Sequence, residues 1–311
     1  MKILITGIHG FVGSNLVAYL AKENEIYGLD IIAPEKEGVV KTYSWDDLDN
    51  GKVPEVDAII HLAGKAHDTR NESAAEVYFK VNTGLTQKIY DYFLASKTAK
   101  KFIFFSTAKA AADKVDGILT EDVVPTPVGP YGESKIAAEK YIQEHLVAEK
   151  QVYILRPCMI HGPGNKGNLN LLYGVVKKGI PWPLGAFENR RTFTSIENLC
   201  FVINGLLTKD VPTGIYNMGD DEALSTNELI EEICKSLGKK AHIWKLPKGL
   251  MGGMAKIGGA LHLPLDPERL RKLTEDYVSS NAKIKKALGV EKMPVDAREG
   301  LKMTLESFRQ D

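Results

Sequence analysis

The chain opens Met1-Lys2-Ile3-Leu4-Ile5-Thr6-Gly7-Ile8-His9-Gly10-Phe11-Val12-Gly13-Ser14, and this stretch decides the fold. Ile3, Leu4 and Ile5 after one polar residue predict a short buried strand over Met1 to Thr6. Glycines follow at every third position, Gly7, Gly10 and Gly13, and a helical pattern then runs from Ser14 to Ala21. A strand feeding a glycine turn and then a helix aims backbone N–H groups at one point, where an anion can bind. Gly7 permits the tight turn, Gly10 lets backbone approach a phosphate, and Gly13 lets helix pack on strand. The spacing is Gly-x-x-Gly-x-x-Gly, a variant of the Gly-x-Gly-x-x-Gly dinucleotide fingerprint.

Working outward, Ile26-Tyr27-Gly28-Leu29-Asp30 reads as a second strand with a carboxylate at its end. Asp30 can bind the adenosine ribose hydroxyls and repels a 2′-phosphate. Ile31, Ile32 and Ala33 follow with no adjacent arginine, which favours NAD over NADP. Val39-Val40 starts a third strand toward Trp45. Asp57 to Gly64 is a buried strand ending in small residues, Lys101 to Ser106 another, and Val152 to Leu155 a further one closed by Arg156-Pro157. Between them a helix is expected from about Ser73 to Ser96, striped by Val81, Leu85, Ile89 and Phe93 and interrupted at Asn82. A loop is expected from Ala108 to Pro130, then a helix from Tyr131 to about Glu149. This alternation predicts an α/β protein: a Rossmann-type doubly wound parallel sheet with right-handed crossovers and a smaller C-terminal α/β substrate domain. The expected division is 1–157 for the NAD-binding domain, with strands returned from about 192–218, and 158–311 for the substrate domain.

Composition narrows the partners. The 311 residues carry 40 basic and 40 acidic side chains, a formal net charge of zero. That gives no reason to expect nucleic acid or an anionic membrane surface. Cys158, Cys200 and Cys234 are too scattered for a disulfide framework or a zinc ribbon. The histidines lack metal-ligand spacing, so His9, His61 and His161 read as packing or hydrogen-bonding residues and no metal is expected. The apolar stretch Gly249 to Pro264 is shorter than the ~20 residues that span a bilayer, so no membrane insertion is expected. It reads as a loosely packed helix under the substrate site or as a peripheral contact, the first being favoured. A reducing cytoplasm fits best.

Gly129-Pro130-Tyr131-Gly132-Glu133-Ser134-Lys135 carries the chemistry. Tyr131 and Lys135 stand four residues apart at the head of a helix, so they share a face. A lysine ammonium near a phenol favours the phenolate. Moving a tyrosine pKa from about 10 toward 7 takes roughly 4 kcal/mol. Such a phenol can take a proton from an alcohol whose carbon gives up a hydride.

Several motifs in order now resemble the extended short-chain dehydrogenase/reductase superfamily, in its nucleotide-sugar epimerase/dehydratase branch. They are Thr6 to Gly13, Asp30, His61-Leu62-Ala63-Gly64, Asn82, Phe105-Ser106-Thr107, Pro130 to Lys135, Arg156-Pro157 and His161-Gly162-Pro163-Gly164. The resemblance implies Tyr131 as general base, with Lys135 tuning it and binding the nicotinamide ribose. It implies Thr107 as the hydroxyl that holds the reacting group, with Ser106 able to exchange roles. It implies NAD contacts from Gly7, Gly10, Phe11, Val12, Gly13, Asp30, Ile31, Leu62, Ala63, Gly64, Asn82, Ser106, Tyr131, Lys135 and Pro157. Asn168 and Arg191 resemble the residues that grip a UDP-sugar diphosphate. Sugar 4,6-dehydratases of this family place Asp-Glu after the threonine, and Ala108-Lys109 stands there instead, which argues against dehydration. A UDP-sugar C4 epimerase is the leading expectation. A 4-keto-sugar reductase needs the same residues, and a noncatalytic nucleotide sensor is a distant third. A homodimer through the helices at 73–96 and 131–149 is implied by the family.

Overall fold

The computed structural model of the chain describes residues 1–66, 74–165, 167–261 and 265–309. In order, the first half holds β1 (Lys2–Thr6), α1 (Phe11–Leu20), β2 (Glu25–Leu29), β3 (Val39–Tyr43), α2 (Trp45–Asp49), β4 (Ala58–His61), α3 (Ala75–Tyr78), a π-helical turn (Phe79–Gly84), α4 (Leu85–Ala95), β5 (Lys101–Phe105), α5 (Ala108–Ala111), β6 (Ile118–Leu119), α6 (Pro130–Glu144) and β7 (Gln151–Pro157). The second half holds β8 (Met159–His161), α7 (Asn168–Lys177), β9 (Phe193–Ser195), α8 (Ile196–Thr208), β10 (Gly214–Met218), α9 (Thr226–Ser236), α10 (Lys248–Ala260), α11 (Pro267–Thr274), β11 (Val278–Ser279), α12 (Ala282–Leu288) and α13 (Ala297–Ser307).

Seven strands form one parallel sheet in the order β10-β7-β5-β4-β1-β2-β3. Its strands are nearly all apolar because helices cover both faces. Alternation along β1 divides them: Ile3 and Ile5 pack with α1 and α8, while Leu4 packs with α4 and α6 on the other face. Strand order reverses between β1 and β4, and a crevice opens there at the carboxyl ends, where open α/β sheets bind ligands. A third core, around Leu169, Tyr173, Leu229, Ile233, Leu301 and Phe308, holds the C-terminal helices together.

Several expectations need correction. Within the segment 192–218, only β10 returns to the main sheet; β9 pairs with β8 in a separate two-stranded sheet. The three residues of β9 run straight into α8, whose N-cap is Ser195, so the strand ends before it can cross to the main sheet. The C-terminal region sets the short strands β8, β9 and β11 among helices α7 to α13. The interruption expected at Asn82 in the helix over 73–96 is a π turn at Phe79–Gly84 between α3 and α4; Ser73, the expected start, lies outside the described residues. The helix beginning at Pro130 stops at Glu144, five residues before the expected end, where the His145 ring bonds back to the Tyr141 carbonyl. The stretch after Thr107 is not all loop. Thr107 caps the short helix α5, and β6 pairs with β11.

Candidate active site

The glycine turn behaves as a phosphate cradle must. Gly7 has φ 68°, a left-handed conformation that disfavours a side chain. A Cβ on Gly13 would sit 2.6 Å from the Gly7 carbonyl oxygen, so α1 can seat against the turn only without one. At Gly10 the internal obstacle is milder, 3.1 Å to the same oxygen, and its open side faces the cleft. No side chain caps α1 and no acidic residue sits in its first turn. The N–H groups there are left for an external anion.

Asp30 stands just beyond β2. Its carboxylate accepts the His9 backbone N–H at 3.0 Å and the Ile31 N–H at 2.7 Å. It therefore ties the second strand to the glycine turn while keeping a negative charge at that end. The Ile31 side chain is 85% exposed. Asp30→Ala is expected to raise tolerance for NADP relative to NAD, read as the ratio of the two Kd values. An unchanged ratio would remove the 2′-phosphate-repelling role.

The opposite wall is set by a buried polar relay. Thr6 Oγ1 accepts the Ala63 N–H at 3.0 Å and donates to His61 Nδ1 at 2.7 Å; His61 Nε2–H reaches Thr86 Oγ1 at 2.9 Å, and Thr86 donates to the Asn82 carbonyl at 2.6 Å. Each proton in this chain is placed only if His61 is neutral, and burial holds its pKa well below the ordinary value. The Asn82 side chain, fully buried, accepts the Lys65 N–H at 2.7 Å and donates to the Lys65 carbonyl and to Ser134 Oγ. The π turn brings Asn82 there. A Cβ on Gly64 would lie 3.0 Å from Asn82 Oδ1 and 3.1 Å from Lys135 Nζ, so glycine keeps the lysine in place.

Gly129, with φ 84°, turns the chain into α6, and Pro130 occupies the first turn. Tyr131 and Lys135 both line the cleft, as the spacing predicts. Thr107 stands near enough to the Tyr131 phenol to pull its pKa down. The Ser106 hydroxyl instead donates to Glu139, which also receives Arg156 from a distance of 2.5 Å. Thr107, not Ser106, therefore has its hydroxyl beside the phenol.

Lys135 does not act on Tyr131 as expected. Its ammonium donates to the Phe105 carbonyl at 2.7 Å and lies over the Phe104 ring. Burial pushes the phenol pKa up, and the nearby Thr107 hydroxyl only partly offsets it. Burial pulls Lys135 down to about 8, against an opposing pull from Glu139. The unfolded chain keeps that proton longer as pH rises from about 8 to 10.5, so the folded state gains stability across this window. The stability difference between wild type and Lys135→Met is expected to widen by about 3 kcal/mol over it, measured by urea unfolding. A difference that stays flat would contradict this placement of the lysine.

One cleft of about 470 Å³ joins these parts. Gly7, Gly10, Phe11, Val12, Gly13, Leu62 and Gly64 line one end, Ser106, Thr107, Tyr131, Lys135 and Pro157 the middle, and Asn168 and Arg191 the other end. Asp30, Ile31, Ala63 and Asn82 do not line it: the first two stand outside the glycine turn, the others behind the wall. Arg191 is held by its guanidinium on the Lys272 carbonyl and by backbone bonds to Leu224, and its neighbours Arg190 and Thr192 make backbone bonds to Tyr277. Sequence reading missed Lys109, Cys158, Asn165, Thr192 and Tyr277, which also line the cleft. Lys109 was legible as the residue replacing a dehydratase acid. It reaches Asp113 at 3.0 Å and lies 4.7 Å from the Tyr277 ring centre. Tyr277 is brought there from far along the chain, by backbone bonds with Arg190 and Thr192 and by its hydroxyl, which donates to the Ala112 carbonyl.

A doubly wound sheet with a glycine turn at its switch point and a Tyr-x-x-x-Lys helix beside a strand-end hydroxyl defines a dinucleotide-dependent enzyme of the short-chain dehydrogenase/reductase type. The model of the NAD dependent epimerase/dehydratase family matches residues 3–219, and the chain belongs to that family. It is 31% identical to a UDP-glucose 4-epimerase of Vibrio cholerae over 99% of this chain and 96% of that protein. It is 28% identical to the N-acetyl-alpha-D-glucosaminyl-diphospho-ditrans,octacis-undecaprenol 4-epimerase of Escherichia coli O157:H7, over 83% of this chain and 81% of that one. Its fold resembles the crystal structure of UDP-glucuronic acid 4-epimerase from Bacillus cereus in complex with NAD, with a TM-score of 0.76, 22% identity and coverage of 100% and 99%. NAD is the cofactor of the family, and the bare helix N-terminus, the glycine cradle and Asp30 fit it.

Proposed function

We propose that the protein is an NAD-dependent epimerase that inverts C4 of a UDP-sugar through a transient 4-keto sugar. One observation carries the reading: the Tyr131 and Thr107 side chains stand close together in a cleft that the glycine turn and Arg191 also line. When bound, NAD would accept the hydride and return it. Tyr131 takes the proton of the C4 hydroxyl as hydride leaves and gives it back when the keto group is reduced. Its raised pKa suits the second of these steps. Thr107 orients the sugar hydroxyl. Lys135, fixed on the Phe105 carbonyl, has donors left for ribose hydroxyls. Arg191 and Asn168 would grip the diphosphate, where a guanidinium fork matches the oxygens.

The sugar would rest between residues 158–311 and the cofactor between residues 1–157, in a homodimer paired through α4 and α6. A sugar diphosphate carried on a polyprenol is a second reading, favoured by the relative from Escherichia coli O157:H7. The test is incubation of purified protein, with no added cofactor, with UDP-glucose, UDP-N-acetylglucosamine or polyprenyl-diphosphate N-acetylglucosamine, followed by sugar analysis. Conversion of a UDP-sugar to its C4 epimer supports the reading. Conversion of the polyprenyl substrate alone selects the second. Turnover of a 4-keto sugar only on addition of NADH or NADPH would make the protein a reductase instead.

A further inference from the structure

The helix α10 is apolar on more sides than its packing uses. Met251 and Ala255, each 1% exposed, face the C-terminal core. Leu250, Met254 and Ile257, with Leu261 just past the helix, make a second stripe at spacings of four, three and four, and these side chains are 52%, 49%, 61% and 64% exposed. Trp244, 54% exposed, precedes the helix. At Gly249, Gly252 and Gly253 a Cβ would meet nothing within 4 Å, so that flank of the helix is open backbone. A surface helix presents polar residues to water unless something apolar meets it.

The charge along this stretch of sequence has one sign. Between Lys239 and Leu265 the sequence holds Lys239, Lys240, Lys245, Lys248 and Lys256 and no Asp or Glu, in a chain whose charges otherwise cancel. Lys240, Lys245, Lys248 and Lys256 are exposed. The first carboxylates beyond it are engaged: Asp266 with Arg269 and Glu268 with Lys272. Exposed aliphatic side chains, a flanking tryptophan and lysines without counter-charges are what an anionic bilayer surface meets at once, hydrocarbon for the stripe and diffuse negative charge for the lysines. A protein partner would have to supply carboxylates at fixed points around the stripe. The surface also lies close to the cleft. α10 packs on α11, and the Lys272 carbonyl of α11 receives the Arg191 guanidinium.

We propose that α10 together with Trp244 is a peripheral docking surface for an anionic lipid bilayer. The helix lies in the interface; among the described residues no helix is long and apolar enough to cross a membrane. The docking holds whichever sugar diphosphate occupies the cleft. The experiment is co-sedimentation of the full chain with vesicles of phosphatidylcholine containing phosphatidylglycerol, and with vesicles of phosphatidylcholine alone. Binding is expected to the first and to fall by about tenfold or more in Lys245→Gln/Lys248→Gln/Lys256→Gln and at high salt. Leu250→Ser/Ile257→Ser/Leu261→Ser should abolish it with an unchanged melting temperature, because these side chains face solvent. If the serine variant does not fold, the lysine variant decides. The proposal is overturned if the chain ignores anionic vesicles, if it binds neutral and anionic vesicles alike, or if neither variant weakens binding. It is also overturned if sedimentation velocity shows that the serine variant dissociates an oligomer that never bound vesicles, which would make the face a contact between copies of this chain.

Discussion

Tyr131→Phe is expected to lower kcat by roughly 10² or more while leaving NAD bound and the melting temperature unchanged. The substitution removes one hydroxyl and keeps the ring, so the wall of the cleft stays in place. What is lost is the group beside Thr107 that exchanges a proton with the sugar oxygen. Neither the glycine cradle nor the Asn82 contacts with Lys65 and Ser134 involve that hydroxyl, so cofactor affinity should survive. Two readouts separate the proton-transfer role from a structural one: kcat on the UDP-sugar, and NAD released on denaturation. Near-normal kcat would take the proton-transfer role from Tyr131. A loss of NAD together with kcat would mean that the phenol holds the cofactor site open and would leave its chemistry unsupported.

Much of this site is legible in the sequence because its decisive parts are local. The cradle lies within seven residues, and its glycine spacing is forced by carbonyl oxygens of the same turn. Tyr131 and Lys135 share a helix face by periodicity alone, and strand-helix alternation gives the sheet. What resists reading is whatever depends on chain segments meeting from afar. Asn82 could be seen to break a helix, but not that its amide would hold Lys65 and Ser134. The lysine beside the phenol suggested a lowered tyrosine pKa, yet in three dimensions its ammonium turns to the Phe105 carbonyl and burial prevails. Tyr277 reaches the cleft because its backbone bonds to Arg190 and Thr192 and its hydroxyl to Ala112, all distant in the sequence. The stretch Gly249 to Pro264 reads as a loosely packed helix beneath the substrate; in the structure one face is packed and another is bare, because helix periodicity tells which residues align and not which stripe finds a partner.

Glu139→Gln tests the support beneath the site, and it is expected to destabilise the protein by about 3–5 kcal/mol. The Glu139 and Arg156 side chains are 0% and 2% exposed, and the guanidinium makes a fork of contacts at 2.5 to 3.2 Å with the carboxylate. Glutamine has nearly the same shape, so no cavity opens; the cost is a buried guanidinium without its counter-charge. Arg156 has little reserve, because its Nη1 already lacks a hydrogen-bond partner. Two further groups feel the change. Ser106 loses its acceptor charge at the end of β5, and Lys135, whose pKa Glu139 holds up against burial, should fall further below about 8. The loss of stability should therefore come with weaker NAD binding and with a proton leaving Lys135 at lower pH. Replacing both partners, Glu139→Met with Arg156→Met, removes the stranded charge and should cost much less than the single change. Urea unfolding of the single and double variants distinguishes the cases. If Glu139→Gln lies within about 1 kcal/mol of wild type, the pair does not hold β5, β7 and α6 in register. If the double variant is as unstable as the single one, the pair is needed for its shape and not for its charge.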